Sequence, residues 1–163
     1  MESVQAVKRI MVDMSMTLMH HGHIRLLRRA WETGHHVVVA LTTDKEILSY
    51  KGYTPELSYD QRKEVLEGIK YVHEVVPSPW LIDEAFMDKH QCDYLVHGHD
   101  NFNHVRAERL VLFPRTEGIS SSDIRRRVLD CLIAVNLKNK TDSRSDKLAR
   151  ALIDVMKSEF NLK

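Results

Sequence analysis

Short apolar runs alternate along this chain with segments in which apolar residues recur at the spacing of a helix. The runs cover residues 7–12, 36–41, 71–76, 94–96 and 110–113. Several of them are rich in Val, Ile and Leu, which is typical of strands that are covered on both faces. With helices between them, these strands predict an α/β fold built on an open, five-stranded, mostly parallel sheet with right-handed crossovers.

The intervening segments carry helix signals of their own. Ile24, Leu27, Ala30 and Trp31 recur at helical spacing, and Gly34 is suited to end that helix. Ser and Gln three residues apart, at positions 58 and 61, form a capping-box pattern. A short helix and a loop that carries Lys51 and Gly52 are predicted over residues 43–53. Further helices are predicted over 58–69, 81–89 and 120–130, and Pro77 and Pro79 are expected to end the third strand.

Composition changes toward the end of the sequence. We expect one domain over residues 1–135, followed by a linker and an amphipathic helix over 136–163. The apolar side of that helix would consist of Leu148, Leu152, Val155, Met156 and Phe160. We expect this side to pack on the domain or on a second subunit, with a membrane-surface helix as the lesser alternative.

Charge and cysteine content narrow the class of protein. Lys and Arg number 24 against 23 Asp and Glu, which gives no support to a nucleic-acid partner. No apolar run approaches the length of a membrane span, and two cysteines are too few for a disulfide scaffold, so a cytoplasmic location is expected. Ten histidines against six glycines direct the search toward phosphate or metal chemistry.

Four segments with polar, phosphate-binding character follow the predicted strands. They cover residues 20–23, 42–51, 97–100 and 115–122. Ligands of open parallel sheets bind beyond the carboxyl ends of the strands, so we expect these four segments to meet at one edge.

The first of them reads His20-His21-Gly22-His23 at the predicted start of a helix. Backbone N–H groups at a helix start favour anions, and His20 and His23 are spaced so that both rings can face one ligand. Gly22 allows a phosphate to approach the backbone. A zinc pair or a surface histidine cluster would also fit the pattern, but zinc would need further ligands from distant loops.

The last of them runs from Arg115 through Gly118 to a row of serines that opens a helix. A guanidinium, hydroxyls and helix-start amides together suit a phosphate group. The alternative is an ordinary capped helix with an exposed arginine.

These two segments, at 14–23 and 115–122, resemble the paired motifs of the cytidylyltransferase family within the HxGH nucleotidyltransferase superfamily. The family patterns are G-T-F-D-x-x-H-x-G-H and R-T-x-G-I-S-T-T, and the resemblance covers about residues 8 to 128. It implies a Rossmann-like fold, a homodimer, and transfer of CMP from CTP to a small phosphate or phosphonate with release of pyrophosphate. Mg²⁺ is expected to accompany the CTP, bound chiefly by its phosphates.

The resemblance also implies roles for individual residues. The implied catalytic residues are His20, His23, Lys51 and Arg115. The implied nucleotide-binding residues are Met14, Ser15, Met16, His20, Gly22, His23, Gly98, Asp100, Arg115, Thr116, Gly118, Ile119, Ser120, Ser121 and Ser122. The implied acceptor-binding residues are Lys51, Arg62, Tyr50 and Trp80, with a surface charge as the alternative for Arg62.

The acceptor is less sharply indicated than the reaction. Met14-Ser15 is similar to the 2-aminoethylphosphonate branch, while Gly98-His99-Asp100 is similar to ethanolamine-phosphate enzymes. Both acceptors carry an amine, which carboxylates or aromatic faces would bind; a glycerol phosphate would need neutral groups such as those of Asn101 and Asn103.

Three different functions would also be compatible with these segments. An adenylyltransferase would use the same sheet edge with another base, and a metal-binding protein would use the histidines as ligands. A non-catalytic nucleotide sensor is favoured by Met14 and Thr17, which stand in place of the family Gly and Asp.

Overall fold

A computed structural model describes residues 7–98, 102–138, 147 and 150–155. The strands are β1 (Lys8–Met14), β2 (His35–Thr42), β3 (Glu74–Ser78), β4 (Tyr94–Gly98) and β5 (Leu110–Phe113). The helices are α1 (His21–Gly34), α2 (Asp44–Lys51), α3 (Tyr59–Glu67), α4 (Glu84–Lys89) and α5 (Ser121–Lys138), with a 3₁₀ turn at Ala107–Arg109.

The strands form one sheet in the order β3-β2-β1-β4-β5, and every neighbouring pair is parallel. Val12 of β1, for example, is paired with Val39 of β2 and with Val96 of β4. The predicted five-stranded α/β fold is therefore confirmed. The strand order reverses direction between β1 and β4, so their carboxyl ends flank the crevice in which such sheets bind ligands.

Side-chain alternation along the strands divides the core into two layers. Ile10, Val12 and Met14 of β1 pack on one face of the sheet, together with buried residues of α1 and α3. Met11 packs on the other face, together with Met87 of α4. Because successive strand residues point to opposite faces, strands covered on both sides must be apolar at nearly every position.

Gly34 ends α1 where the helix meets β1, as predicted. A Cβ atom at this position would lie 2.5 Å from Cγ1 of Ile10 and 2.7 Å from the carbonyl oxygen of Lys8. Only glycine allows so close an approach without displacing the strand.

Several predicted boundaries were wrong. β3 begins at Glu74 and includes Pro77, which is tolerated because β3 is an edge strand and Pro77 needs no partner on its open side. α3 ends at Glu67, two residues before Ile69, although the predicted capping box of Ser58 and Gln61 is confirmed. α4 begins at Glu84, because the side chain of Asp83 accepts the amide of Phe86 and caps the helix there.

The chain divides into two compact units, Met1–Thr116 and Glu117–Lys163. The first unit contains the sheet and α1–α4. In the second, α5 follows a turn in which Gly118 has a φ of 72°. The predicted boundary after residue 135 lies inside α5, and the division into 1–135 and 136–163 stays a prediction.

The apolar side of the predicted terminal helix is described only in part. Leu152 and Val155 lie in a helical stretch and are exposed. Leu148, Met156 and Phe160 lie outside the described residues. Among the residues that the structure describes, no helix is both long and apolar enough to cross a membrane.

Candidate active site

The turn between β1 and α1 brings His20 and His23 together at the carboxyl edge of the sheet. Their ring centroids are 3.8 Å apart, with the planes inclined by 32°. The backbone of the same turn includes Met16 in the left-handed region, with a φ of 38°. A non-glycine residue held in that region is strained, and such strain is characteristic of functional loops.

Backbone hydrogen bonds orient both imidazole rings. The amide of Gly22 donates to Nδ1 of His20 at 3.2 Å, and the amide of His20 donates to Nδ1 of His23 at 3.3 Å. An Nδ1 atom that accepts a hydrogen bond carries no proton, so each neutral ring carries its proton on Nε2. The turn thus sets the tautomer of both histidines and makes each Nε2–H a hydrogen-bond donor.

His23 is held in its neutral form in the ligand-free site. Burial is the main cause that lowers its pKa from 6.5 to about 3, and the neighbouring His20, Lys51 and Arg115 lower it further. The two positive side chains come from the end of α2 and from the segment after β5. Residues from three separate segments therefore act on one imidazole, as the sequence predicted for this edge.

Lys51 is the last residue of α2, and Gly52 directly after it adopts a left-handed conformation with a φ of 75°. The Nζ atom of Lys51 donates a hydrogen bond of 2.9 Å to the hydroxyl of Ser15. The same Nζ lies 5.5 Å from the centre of the Trp80 ring, on which the exposed Tyr50 ring stacks at 5.0 Å. Three predicted acceptor-binding residues thus lie together beside the β1–α1 turn.

Arg62, the fourth predicted acceptor-binding residue, is fully buried. Its guanidinium donates to the carbonyl oxygens of Ser15, Thr42 and Leu57 and to the carboxylate of Asp44. The alternative of a surface charge is therefore wrong. Direct contact with an acceptor stays a prediction, and the burial of the side chain does not favour it.

The remaining residues predicted in the first unit are placed as follows. The side chains of Met14 and Met16 are buried in the core, so contact with a nucleotide is left to their backbone atoms. Gly98 ends β4, next to the end of β1. Arg115 and Thr116 follow β5, and Asp100 lies outside the described residues, as do His99 and Asn101.

The remaining predicted nucleotide-binding residues belong to the second unit. Ser120 precedes α5, and its hydroxyl accepts the amide of Asp123 at 3.0 Å and donates to the Asp123 carboxylate at 2.7 Å. This hydroxyl therefore caps the helix, as expected of an ordinary capped helix. The approach of Gly118, Ile119, Ser120, Ser121 and Ser122 to the histidine pair stays a prediction.

Sequence reasoning missed an acidic residue at the same edge. Asp13 lies near the end of β1, with its side chain only 12% exposed, and its carboxylate is 3.4 Å from Nε2 of His97 on β4. The side-chain Nδ2 of Asn103 donates a hydrogen bond of 2.9 Å to this carboxylate. The side-chain Oδ1 of Asn103 accepts a hydrogen bond of 2.7 Å from the backbone amide of Ile82. A charged residue within an apolar strand pattern was the signal by which Asp13 could have been found.

The cluster has the chemistry of a polyphosphate site. Two imidazole N–H donors lie side by side, and the charges of Lys51 and Arg115 act on one of them; anionic oxygens are the natural partners of such groups. Within the described ranges, no group of three or more His, Cys, Asp and Glu side chains comes together as a metal site. The zinc alternative therefore has no ligand set in that part of the chain.

Comparison with known proteins places this arrangement in a family. The sequence profile of the cytidylyltransferase-like family matches residues 15–127. Glycerol-3-phosphate cytidylyltransferase of Staphylococcus aureus is 39% identical over 129 residues, which cover 75% of this chain and 96% of that protein. Ethanolamine-phosphate cytidylyltransferase of mouse is 34% identical over 136 residues, which cover 77% of this chain but only 33% of that protein.

Among solved structures, the fold is similar to that of a lipopolysaccharide core biosynthesis protein from Thermoplasma volcanium, with a TM-score of 0.58. The match covers 69% of this chain and 100% of that one, at 17% identity. At this identity the likeness concerns the fold alone.

Proposed function

Because the chain belongs to the cytidylyltransferase-like family, we propose that it transfers CMP from CTP to a small phosphate or phosphonate and releases pyrophosphate. The observation that supports this proposal is the close His20–His23 ring pair, together with the positive charges of Lys51 and Arg115 that lower the pKa of His23. A nucleoside triphosphate and an anionic acceptor must approach each other in this reaction, and the four side chains supply the donors and positive charge that offset their repulsion.

The reaction needs no nucleophile from the protein. An oxygen of the acceptor attacks the α-phosphorus of CTP, a new P–O bond forms, and the bond to the β-phosphate oxygen breaks so that pyrophosphate leaves with the electron pair. In our proposal the Nε2–H groups of His20 and His23 donate to phosphate oxygens as charge develops. Lys51 contacts both the acceptor and the α-phosphate, and Arg115 binds the leaving phosphates.

Mg²⁺ is part of the proposal as a partner of CTP. Oxygen atoms of the triphosphate are the ligands that Mg²⁺ prefers, and it usually needs few ligands from the protein. The ion would neutralise phosphate charge, while the residues named above orient the reactants.

An amine-bearing acceptor, 2-aminoethylphosphonate or phosphoethanolamine, is our first choice. The Tyr50–Trp80 stack beside Lys51 presents aromatic faces that attract an ammonium. The amine would share the neighbourhood of Trp80 with the Lys51 ammonium, so both cations must fit there. Similarity to the ethanolamine-phosphate enzyme of mouse supports this choice.

Glycerol phosphate is the second candidate. It is supported by the 39% identity to a glycerol-3-phosphate cytidylyltransferase, nearly all of which the match covers. Of the two asparagines predicted to bind a polyol, Asn103 already uses its side-chain oxygen and amide on Ile82 and Asp13. This weakens the contribution expected from Asn103.

The test is pyrophosphate release with CTP and Mg²⁺ and a panel of aminoethylphosphonate, phosphoethanolamine, phosphocholine and glycerol phosphate. We expect turnover with CTP and a ratio of kcat/KM above one for the better amine acceptor against glycerol phosphate. A ratio well below one would select the second candidate. Turnover with ATP in place of CTP, or binding without turnover, would support the adenylyltransferase or the sensor instead.

His23→Ala tests the catalytic role of the histidine pair. If the ring stabilises the transferring phosphoryl group, kcat should fall by about 10²-fold or more. Because the ring lies at the ligand edge, circular dichroism at pH 7 should show a folded variant. Near-normal turnover would contradict the assignment.

The homodimer and the cytoplasmic location stay predictions. Light scattering of the purified protein and fractionation of the source cells would check them.

A further inference from the structure

Arg62 of α3 is a charged residue in the interior of the first unit. Its side chain is fully buried, and it makes hydrogen bonds of 2.6 Å to the Ser15 carbonyl, 3.0 Å to the Thr42 carbonyl and 3.2 Å to the Leu57 carbonyl. A fourth bond, of 2.6 Å, joins it to the Asp44 carboxylate. A buried guanidinium is costly without such partners, so its presence at the carboxyl edge calls for an explanation.

Two of these four partners, Asp44 and Ser15, are connected to Lys51. Asp44 is the first residue of α2, and Lys51 is the last residue of the same helix. The carbonyl oxygen of Ser15 accepts a hydrogen bond from Arg62. The hydroxyl of the same residue accepts a hydrogen bond of 2.9 Å from the Lys51 ammonium. One guanidinium therefore holds both the helix that carries Lys51 and the residue that receives its ammonium.

The elements between these contacts are well fixed. Ile47 anchors the middle of α2 in the core, and the side chain of Thr43 caps its first turn. The second carboxylate oxygen of Asp44 accepts the amide of Tyr59, which ties α2 to the start of α3. Displacement of Arg62 would thus move the start of α2 and the β1–α1 turn with respect to each other.

We propose that Arg62 is a positioning residue, which acts through Ser15 and Asp44 to hold the Lys51 ammonium beside the His20–His23 pair. A lysine cannot replace it, because one ammonium lacks the planar fork that reaches acceptors on three sides. The catalytic consequence rests on the proposed function, whereas the placement of Lys51 does not.

The placement is tested without turnover by competitive acetylation of the ligand-free protein, followed by mass spectrometry. The readout is the labelling rate of Lys51 relative to Lys45, an exposed lysine on the same helix. In Arg62→Lys, this ratio should rise by about fivefold, the factor that corresponds to loss of one ordinary hydrogen bond of the Lys51 ammonium. Leu66→Ala, at a fully buried apolar site on the same helix, should destabilise the protein and leave the ratio unchanged.

The catalytic consequence is tested by a double-mutant cycle. Arg62→Lys should lower kcat/KM by about tenfold in the wild-type background but by less than about twofold once Lys51 is Met, since a residue that acts through another loses its effect with it. Leu66→Ala should have the same effect on kcat/KM in both backgrounds. If Arg62→Lys lowers kcat/KM by the same factor in both backgrounds, Arg62 has a purely structural role and the proposal is wrong.

Arg62→Gln is the second variant if Arg62→Lys does not fold, and Ser15→Ala calibrates the labelling readout. Ser15→Ala removes only the hydroxyl that receives Lys51 and leaves the four Arg62 hydrogen bonds in place. It should raise the relative labelling of Lys51 as Arg62→Lys does. An unchanged ratio in every folded Arg62 variant overturns the proposal, whereas a protein that shows the labelling change but no nucleotidyl transfer contradicts the proposed function alone.

Discussion

Removal of the titratable ring of His23 should make the protein less sensitive to acid. Burial, with help from His20, Lys51 and Arg115, lowers the pKa of this ring from 6.5 to about 3. Between about pH 6.5 and pH 3, His23 is therefore protonated in the unfolded chain but neutral in the folded chain. The stability that the neutral ring allows is present above pH 6.5 and is lost as the pH falls toward 3.

The size of the effect follows from the two pKa values. Between pH 7 and pH 5 the unfolded ring becomes almost fully protonated while the folded ring stays neutral. At about 1.4 kcal/mol for each pKa unit, this costs the wild-type protein about 2 kcal/mol of unfolding free energy over that interval. His23→Gln has no proton to bind in either state, so it should lose about 2 kcal/mol less than the wild type.

Urea denaturation followed by circular dichroism at pH 7 and pH 5 measures the difference. His21→Gln is the matched control, because it replaces an exposed ring on the same turn. If His23→Gln and the wild type lose the same free energy between the two pH values, then His23 is not held neutral by the folded structure and the reasoning fails.

Three further outcomes are expected. CTP binding should raise the pKa of His23, because triphosphate charge favours the protonated ring; an NMR titration of the His23 ring would give the same pKa for the free and bound protein if this is wrong. Lys51→Met should remove most of the transfer activity and Lys45→Met little of it, and equal losses would refute a specific role. Gly34→Ala should lower the unfolding free energy by about 1–3 kcal/mol, because the added methyl group overlaps Ile10; an unchanged melting temperature would contradict the tight contact.

The order of strands and helices, and the edge at which the site forms, could be inferred from the amino-acid sequence. The apolar periodicity of β2 and the capping box of α3 are local properties, so they could be recognised without knowledge of the fold. The carboxyl ends of parallel strands share one edge, so the positions of His20, Lys51 and Arg115 after different strands were enough to predict that they lie at that edge.

Which charged residues are buried became clear only from the folded chain. Arg62 lies in a polar helical segment and was compatible with a surface position until the carbonyls of Ser15 and Thr42 were seen to surround it. The burial of Asp13 could not be recognised from the sequence either, because its partners His97 and Asn103 lie 84 and 90 residues later in the chain. Whether a charge is solvated or enclosed depends on such long-range packing, which no local pattern of residues records.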